Sequence, residues 1–141
     1  MLPPSLARFA KLALFVVSLA VVIAAPRFAR AATIIPGGNI LNQTWTPAGS
    51  PYIVQGDATV PNGSTLTIQA GTSVEFASMD AGITGLDPNK VELTIKGTLS
   101  VMGVAGSPVT FKANVGSASG TWFGLVIDAT ATSANIAGAV I

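Results

Sequence analysis

The sequence predicts an all-β solenoid behind an export leader, on three observations. Beyond residue 31 the apolar residues alternate with polar ones in runs of about three, shorter than the roughly five to six residues of an average strand. Turn signals separate these runs every six to ten residues or so. The same region holds all 15 glycines, six prolines, 14 threonines, ten isoleucines and ten valines, a composition that favours strands and turns over helix. A solenoid coil, each side one short strand, satisfies all three. A small β-sandwich with irregular strands is the alternative.

The first element is the leader. Arg8 and Lys11 precede a 14-residue hydrophobic stretch, residues 12–25, which Pro26 stops. Ala29-Arg30-Ala31 then places small residues at the −3 and −1 positions. That order predicts a signal-peptide helix cleaved after Ala31, hence a secreted or envelope protein that meets the membrane only during export. An uncleaved anchor is the rival reading, but a bilayer span takes about 20 apolar residues.

Charge follows the same division. All three arginines and one lysine lie in residues 1–31; the remainder sets Lys90, Lys96 and Lys112 against Asp57, Glu75, Asp80, Asp87, Glu92 and Asp128. This acidic balance excludes a basic nucleic-acid-binding domain. The chain has neither His nor Cys, which removes imidazole acid–base chemistry, thiol chemistry, disulfides and any zinc site built on those residues.

Residues 32–51 read as an N-terminal cap or linker, with Trp45 and Tyr52 as an apolar lid. Coils follow over 52–141. Leu66-Thr67-Ile68, Val74-Glu75-Phe76, Leu93-Thr94-Ile95, Leu99-Ser100-Val101 and Val109-Thr110-Phe111 each bury one face and wet the other. Ser64–Ile68 is echoed by Val91–Ile95, and Ile53–Val60 by Thr94–Val101. The unequal offsets fit a coil of about 20–27 residues with one insertion, placed at residues 77–89 and expected to project as a polar loop. Two to three coils result. Val60, Leu66, Ile68, Val74, Phe76, Leu93, Ile95, Leu99, Val101, Val109, Phe111, Leu125 and Ile127 are expected to point inward. Thr67, Glu75, Thr94, Lys96, Ser100, Thr110 and Lys112 are expected to point outward. The sequence stops in mid-alternation, at Ala137-Gly138-Ala139-Val140-Ile141, with no polar cap. This predicts the N-terminal part of a longer product, whose open edge would self-associate if left bare.

The run from Thr44-Trp45-Thr46-Pro47 through Tyr52-Ile53-Val54-Gln55-Gly56-Asp57 resembles the opening of secreted bacterial right-handed parallel β-helix proteins. Val60-Pro61-Asn62-Gly63-Ser64-Thr65-Leu66-Thr67-Ile68 and Ala70-Gly71-Thr72-Ser73-Val74-Glu75-Phe76 continue the likeness. Leu93 to Leu99, Ser107-Pro108-Val109-Thr110-Phe111 and Thr121-Trp122-Phe123-Gly124-Leu125-Val126 are similar to later coils, so the resemblance covers residues 38–141. It implies a right-handed parallel β-helix of the pectin-lyase-like kind. It implies no activity, because the family spans polysaccharide lyases, hydrolases and adhesins.

Candidate sites are few. Asp80, Asp87 and Asn89 offer oxygens to calcium, but the ligand spacing of an EF-hand loop is missing, and a solvated loop is expected instead. The Asn42-Gln43-Thr44 and Asn62-Gly63-Ser64 triplets read as a loop and a turn rather than glycosylation sites. Lyases of this fold are expected to use acidic calcium ligands and a basic Arg or Lys; past residue 31 there is no Arg, and Lys96 and Lys112 fall at outward positions. Glu75 and Glu92 flank the insertion, yet nothing orients them as a glycosidase pair, which needs a separation of about 5–10 Å. Trp45, Tyr52, Trp122 and Phe123 read as a cap and a corner before a sugar-stacking platform. No catalytic, cofactor-binding or metal residue is therefore assigned, and no cofactor. The expected function is an exported structural or surface-binding protein, stalk- or adhesin-like, with an extracellular polysaccharide or cell-surface partner. The alternative is the N-terminal part of a polysaccharide lyase or glycoside hydrolase whose active coils lie beyond Ile141; an autotransporter passenger stands behind both.

Overall fold

The computed structural model describes residues 30–116 and 118–141. The expected signal-peptide helix lies outside the described residues. Thirteen short strands follow in order: β1 (Thr33–Ile35), β2 (Gly38–Asn39), β3 (Gln43–Trp45), β4 (Tyr52–Val54), β5 (Ala58–Val60), β6 (Thr65–Gln69), β7 (Ser73–Phe76), β8 (Glu92–Ile95), β9 (Thr98–Met102), β10 (Val109–Ala113), β11 (Gly124–Ile127), β12 (Ser133–Ala137) and β13 (Ala139–Val140). They form three parallel sheets: sheet I is β1-β4-β7-β10-β13, sheet II is β2-β5-β8-β11 and sheet III is β3-β6-β9-β12. Every third strand returns to the same sheet, so the chain winds as a parallel β-helix.

Four coils are complete, more than the two to three expected. The difference lies in residues 32–51. In place of the expected cap or linker, β1, β2 and β3 form a full first coil there, in register with the second through Ile35↔Val54, Asn39↔Thr59 and Trp45↔Ile68. The short polar-rich runs of this coil hid its strands. The internal echoes also misled. Leu66 sits beside Leu99 and Ala58 beside Leu93, so the similarity of Ser64–Ile68 to Val91–Ile95 relates strands of two different sheets. Any strand that is half buried on a coil shows the same alternation, so alternation alone does not say which strands are neighbours.

The core is a set of inward ladders. On sheet III, Trp45, Ile68 and Val101 align, next to Leu66 and Leu99; on sheet II, Ala58 aligns with Leu93 and Val60 with Ile95; on sheet I, Tyr52, Val74 and Phe111 align, next to Val54 and Phe76. All of these are buried, each aliphatic side chain contributing about 1.5–3 kcal/mol of gross hydrophobic stabilisation. Ile40, Trp45, Tyr52, Val54, Ala58 and Val91 join the expected core. Leu125 is only partly buried and Ile127 is 45% exposed, although both were expected inside; their strand β11 lies on the last complete coil, where no further rung covers them.

Corners are governed by backbone clearance. At Lys96-Gly97 the N–H groups of both residues donate to the Val60 carbonyl, at 2.8 and 2.9 Å, and Thr98 N–H donates to the Ser64 carbonyl at 2.9 Å. A Cβ on Gly97 would collide with the carbonyl oxygens of Pro61 and Ser64, which are backbone atoms fixed by the neighbouring corner. Gly97→Ala should therefore lower stability by about 1–3 kcal/mol, read from denaturant unfolding. An unchanged midpoint would show that the two corners are not in contact.

Candidate functional site

The connection from sheet I to sheet II is where the coil departs from its minimum. In the first two coils it takes Pro36-Gly37 and Gln55-Gly56-Asp57; in the third it expands to residues 77–91, and in the fourth to residues 114–123. The first expansion matches the insertion expected at 77–89. The second was not anticipated, although Gly116 and Ala118-Ser119-Gly120 carry a loop's composition.

Loop 77–91 is fastened by three carboxylates. Asp80 accepts the N–H groups of Thr84 (2.7 Å), Gly82 (2.9 Å) and Asp57 (3.2 Å). Asp57 accepts Glu92 N–H at 2.9 Å and the Thr84 hydroxyl at 3.0 Å. Glu92 accepts Leu86 N–H and the Thr94 hydroxyl, each at 3.1 Å. Gly85, at φ +71°, lies so close to Asp57 and Glu92 that any Cβ would strike their carboxylates. Asp80 and Glu92 are buried, an uncommon state for acids that their hydrogen bonds make tolerable.

Two of the three calcium candidates, Asp80 and Asp87, are engaged within this arrangement. Asp80 faces backbone N–H groups, while Asp87 accepts Asn89 N–H at 3.0 Å and pairs with Lys90 at 3.8 Å. Among the described residues no group of three or more acidic side chains is placed to hold a metal ion. Asn42, at φ 47°, accepts Thr65 N–H at 3.0 Å, and Asn62-Gly63 turns the chain with Ser64 N–H on the Pro61 carbonyl.

Burial pushes the Asp80 carboxyl up, but the N–H groups of Thr84, Gly82, Asp57 and Ile83 outweigh it and hold the carboxyl below its ordinary value of 3.8. The stabilisation that Asp80 gives is thus complete above that ordinary value and is lost as pH falls through the lower folded value. Asp80→Asn should release the loop near neutral pH, because an amide N–H would face the N–H of Gly82 or Thr84. Amide hydrogen exchange at those two residues should accelerate, for a local loss of about 1–3 kcal/mol. Unaltered protection would mean that the loop holds by other contacts.

Under the tip of this loop the outer face of sheet II forms a groove of about 290 Å³. Its floor is the outward column Thr59, Thr94 and Val126, aligned across three coils. Gly85, Leu86 and Glu92 border it on the loop side, and Lys96 and Asp128 on the other. Asp128 accepts the Thr130 hydroxyl at 2.6 Å and the Thr130 N–H at 2.8 Å. Those two hydrogen bonds hold its carboxyl below the usual range against slight desolvation, with help from the Lys96 charge.

The other sequence candidates are dispersed. Glu75 is on sheet I, paired with Lys112 at 3.1 Å, whereas Glu92 is on sheet II under the loop; they form no acid pair. Trp45 and Tyr52 stack at 4.8 Å inside the coil, as a core contact rather than a sugar platform. Trp122, within the second loop, stacks on Phe76 at 4.0 Å, and Phe123 beside it is exposed. A larger hollow of about 800 Å³, lined by Phe111, Trp122, Leu125 and Ile141 among others, continues the core at the last rung.

A pectate-lyase-like β-helix domain model matches residues 38–140. No curated protein and no solved structure matches the chain. The matched span covers most of the sequence and includes twelve of the thirteen strands. With its three parallel sheets and their register, this chain belongs to the pectate-lyase-like β-helix domain family.

Proposed function

We propose that this is an exported, surface-binding β-helix protein that holds a short stretch of extracellular glycan in the groove on sheet II without cleaving it. The observation that carries the reading is the groove itself. The Thr59 hydroxyl, the Asp128 carboxylate and the Lys96 ammonium line one cleft, with Thr94 and Glu92 hydrogen-bonded to each other in its wall, beside the apolar surfaces of Leu86 and Val126. A saccharide presents the complement: hydroxyls that donate and accept, and C–H faces that pack on apolar side chains. The volume suits one or two sugar units, near the lower end of ligand pockets. Export is supported by the leader, with its basic start, hydrophobic stretch and small residues before Ala32.

The state of Asp128 supports binding without cleavage. Hydrolysis by a carboxyl pair needs one member protonated near neutral pH, which requires a raised pKa. Asp128 is shifted the other way by Thr130. Lys96 is solvent-exposed at the rim of the groove.

Thr94→Trp places a bulky ring on the groove floor. It should reduce binding to neutral oligosaccharides, measured on a glycan array and by calorimetry, at least tenfold. Thr110→Trp, outward on sheet I, should leave binding unchanged. Equal binding by wild type and Thr94→Trp would exclude the groove as the site, and release of reducing ends or unsaturated product would overturn the non-catalytic reading.

A further inference from the structure

The described charged residues are distributed unevenly. Arg30 precedes β1 and donates to the Pro47 carbonyl at 2.7 Å; Glu75 and Lys112 stand on sheet I; Glu92 and Lys96 are on or beside β8, Asp128 follows β11, and Asp57, Asp80, Asp87 and Lys90 belong to the corner between sheets I and II. The strands of sheet III carry none: Gln43–Trp45, Thr65–Gln69, Thr98–Met102 and Ser133–Ala137. Two of their three outward columns are instead small and hydrogen-bonding; the third, at the far end of the strands, holds Gln69, Met102 and Ala137. Thr65, Thr98 and Ser133 form one aligned column, and Thr67, Ser100 and Asn135 a second beside it. The face is thus a two-column lattice repeated over three coils.

The spacing of that lattice follows from strand geometry. Rungs of a parallel sheet lie about 4.8 Å apart, and residues two apart on a strand about 6.6 Å apart. Water molecules hydrogen-bonded at about 2.75 Å in tetrahedral coordination put second-neighbour oxygens about 4.5 Å apart. Hydroxyls stacked at the rung repeat therefore sit near the spacing of a tetrahedral water network. The methyl groups of Thr65, Thr67 and Thr98 are apolar surface around which water orders without being bound radially. A charged side chain would break such order by orienting its own hydration shell, and none is present on these strands.

We propose that the outer face of sheet III is an ice-binding surface, with the five hydroxyls of Thr65, Thr98, Ser133, Thr67 and Ser100 and the Asn135 amide anchoring lattice water. The occupant is ordered water rather than a protein or a glycan, because the strands of this face carry no charge and its two small columns repeat near the water spacing in one direction. This function is independent of the groove on sheet II, which lies on a different side of the coil.

The test is ice adsorption. Purified protein is offered to a slowly growing ice front, and its ability to arrest recrystallisation in a sucrose solution is titrated. Wild type should be enriched in the ice fraction and arrest grain growth. Thr67→Lys and, separately, Thr98→Lys should raise the concentration needed at least tenfold with an unchanged circular dichroism spectrum, whereas Lys112→Ala on sheet I should have no effect. Exclusion of wild type from ice would overturn the proposal, with no dependence on how the variants fold. So would activity retained in both lysine variants, adsorption to microcrystalline cellulose that the same lysines abolish in place of ice adsorption, or a concentration-dependent dimer that Thr67→Lys dissolves.

Discussion

Everything in this molecule depends on the in-register stacking of short parallel strands. Each rung places a residue beside its counterpart one coil away, so backbone hydrogen bonds and side-chain ladders are set together. Val54 with Phe76, Ile68 with Val101 and Val60 with Ile95 are neighbours because their strands are. A slip of one residue would turn the whole inward set to water, and this penalty fixes the register. The same constraint makes the corners unforgiving, since carbonyls of one coil lie against the backbone of the next.

The chain has freedom only where a corner can open outward. It uses that freedom between sheets I and II, on two successive coils, while the other corners remain short. An excursion of this length would be an entropic liability if left loose. Asp57, Asp80 and Glu92 fasten the first one to the coil, and a groove on sheet II results. The acids of this region thus serve the architecture first. They also give one side of the coil its polarity, while sheet III remains uncharged. Three faces with one backbone plan therefore present three chemistries: an ion pair on sheet I, a polar groove on sheet II and a neutral hydroxyl array on sheet III.

Much of the fold was legible because its signal is local. Alternation in Leu66-Thr67-Ile68 or Leu99-Ser100-Val101 states which side chains are buried, and the structure buries them. Neighbour relations were not legible, because the loop at 77–91 shifts the spacing and all half-buried strands look alike. The first coil was missed since β2 is two residues long and Gly38-Asn39 carries no apolar alternation. The sequence leaves Glu92 an unoriented acid; the Asp57 carboxylate that accepts its N–H lies 35 residues away, and the Leu86 N–H, six residues away, reaches it only because the loop folds back. The groove could not be foreseen for the same reason: Thr59, Thr94 and Val126 meet only through the register.

That register is the central claim, and the absence of native cysteine allows a direct measurement. Thr67 and Ser100 are partners on adjacent rungs of sheet III. Neighbouring rungs bring Cα atoms to about 4.8 Å, within the 4.4–6.8 Å or so that a disulfide spans. A Thr67→Cys, Ser100→Cys double variant should form an intramolecular disulfide under mild oxidation, identified by mass spectrometry of the linked peptides. A Thr67→Cys, Thr94→Cys pair, which the internal echo would align but the structure places on different sheets, should remain reduced. The opposite pattern, with Thr67 joined to Thr94 and not to Ser100, would contradict the coil register and with it the groove and the hydroxyl array.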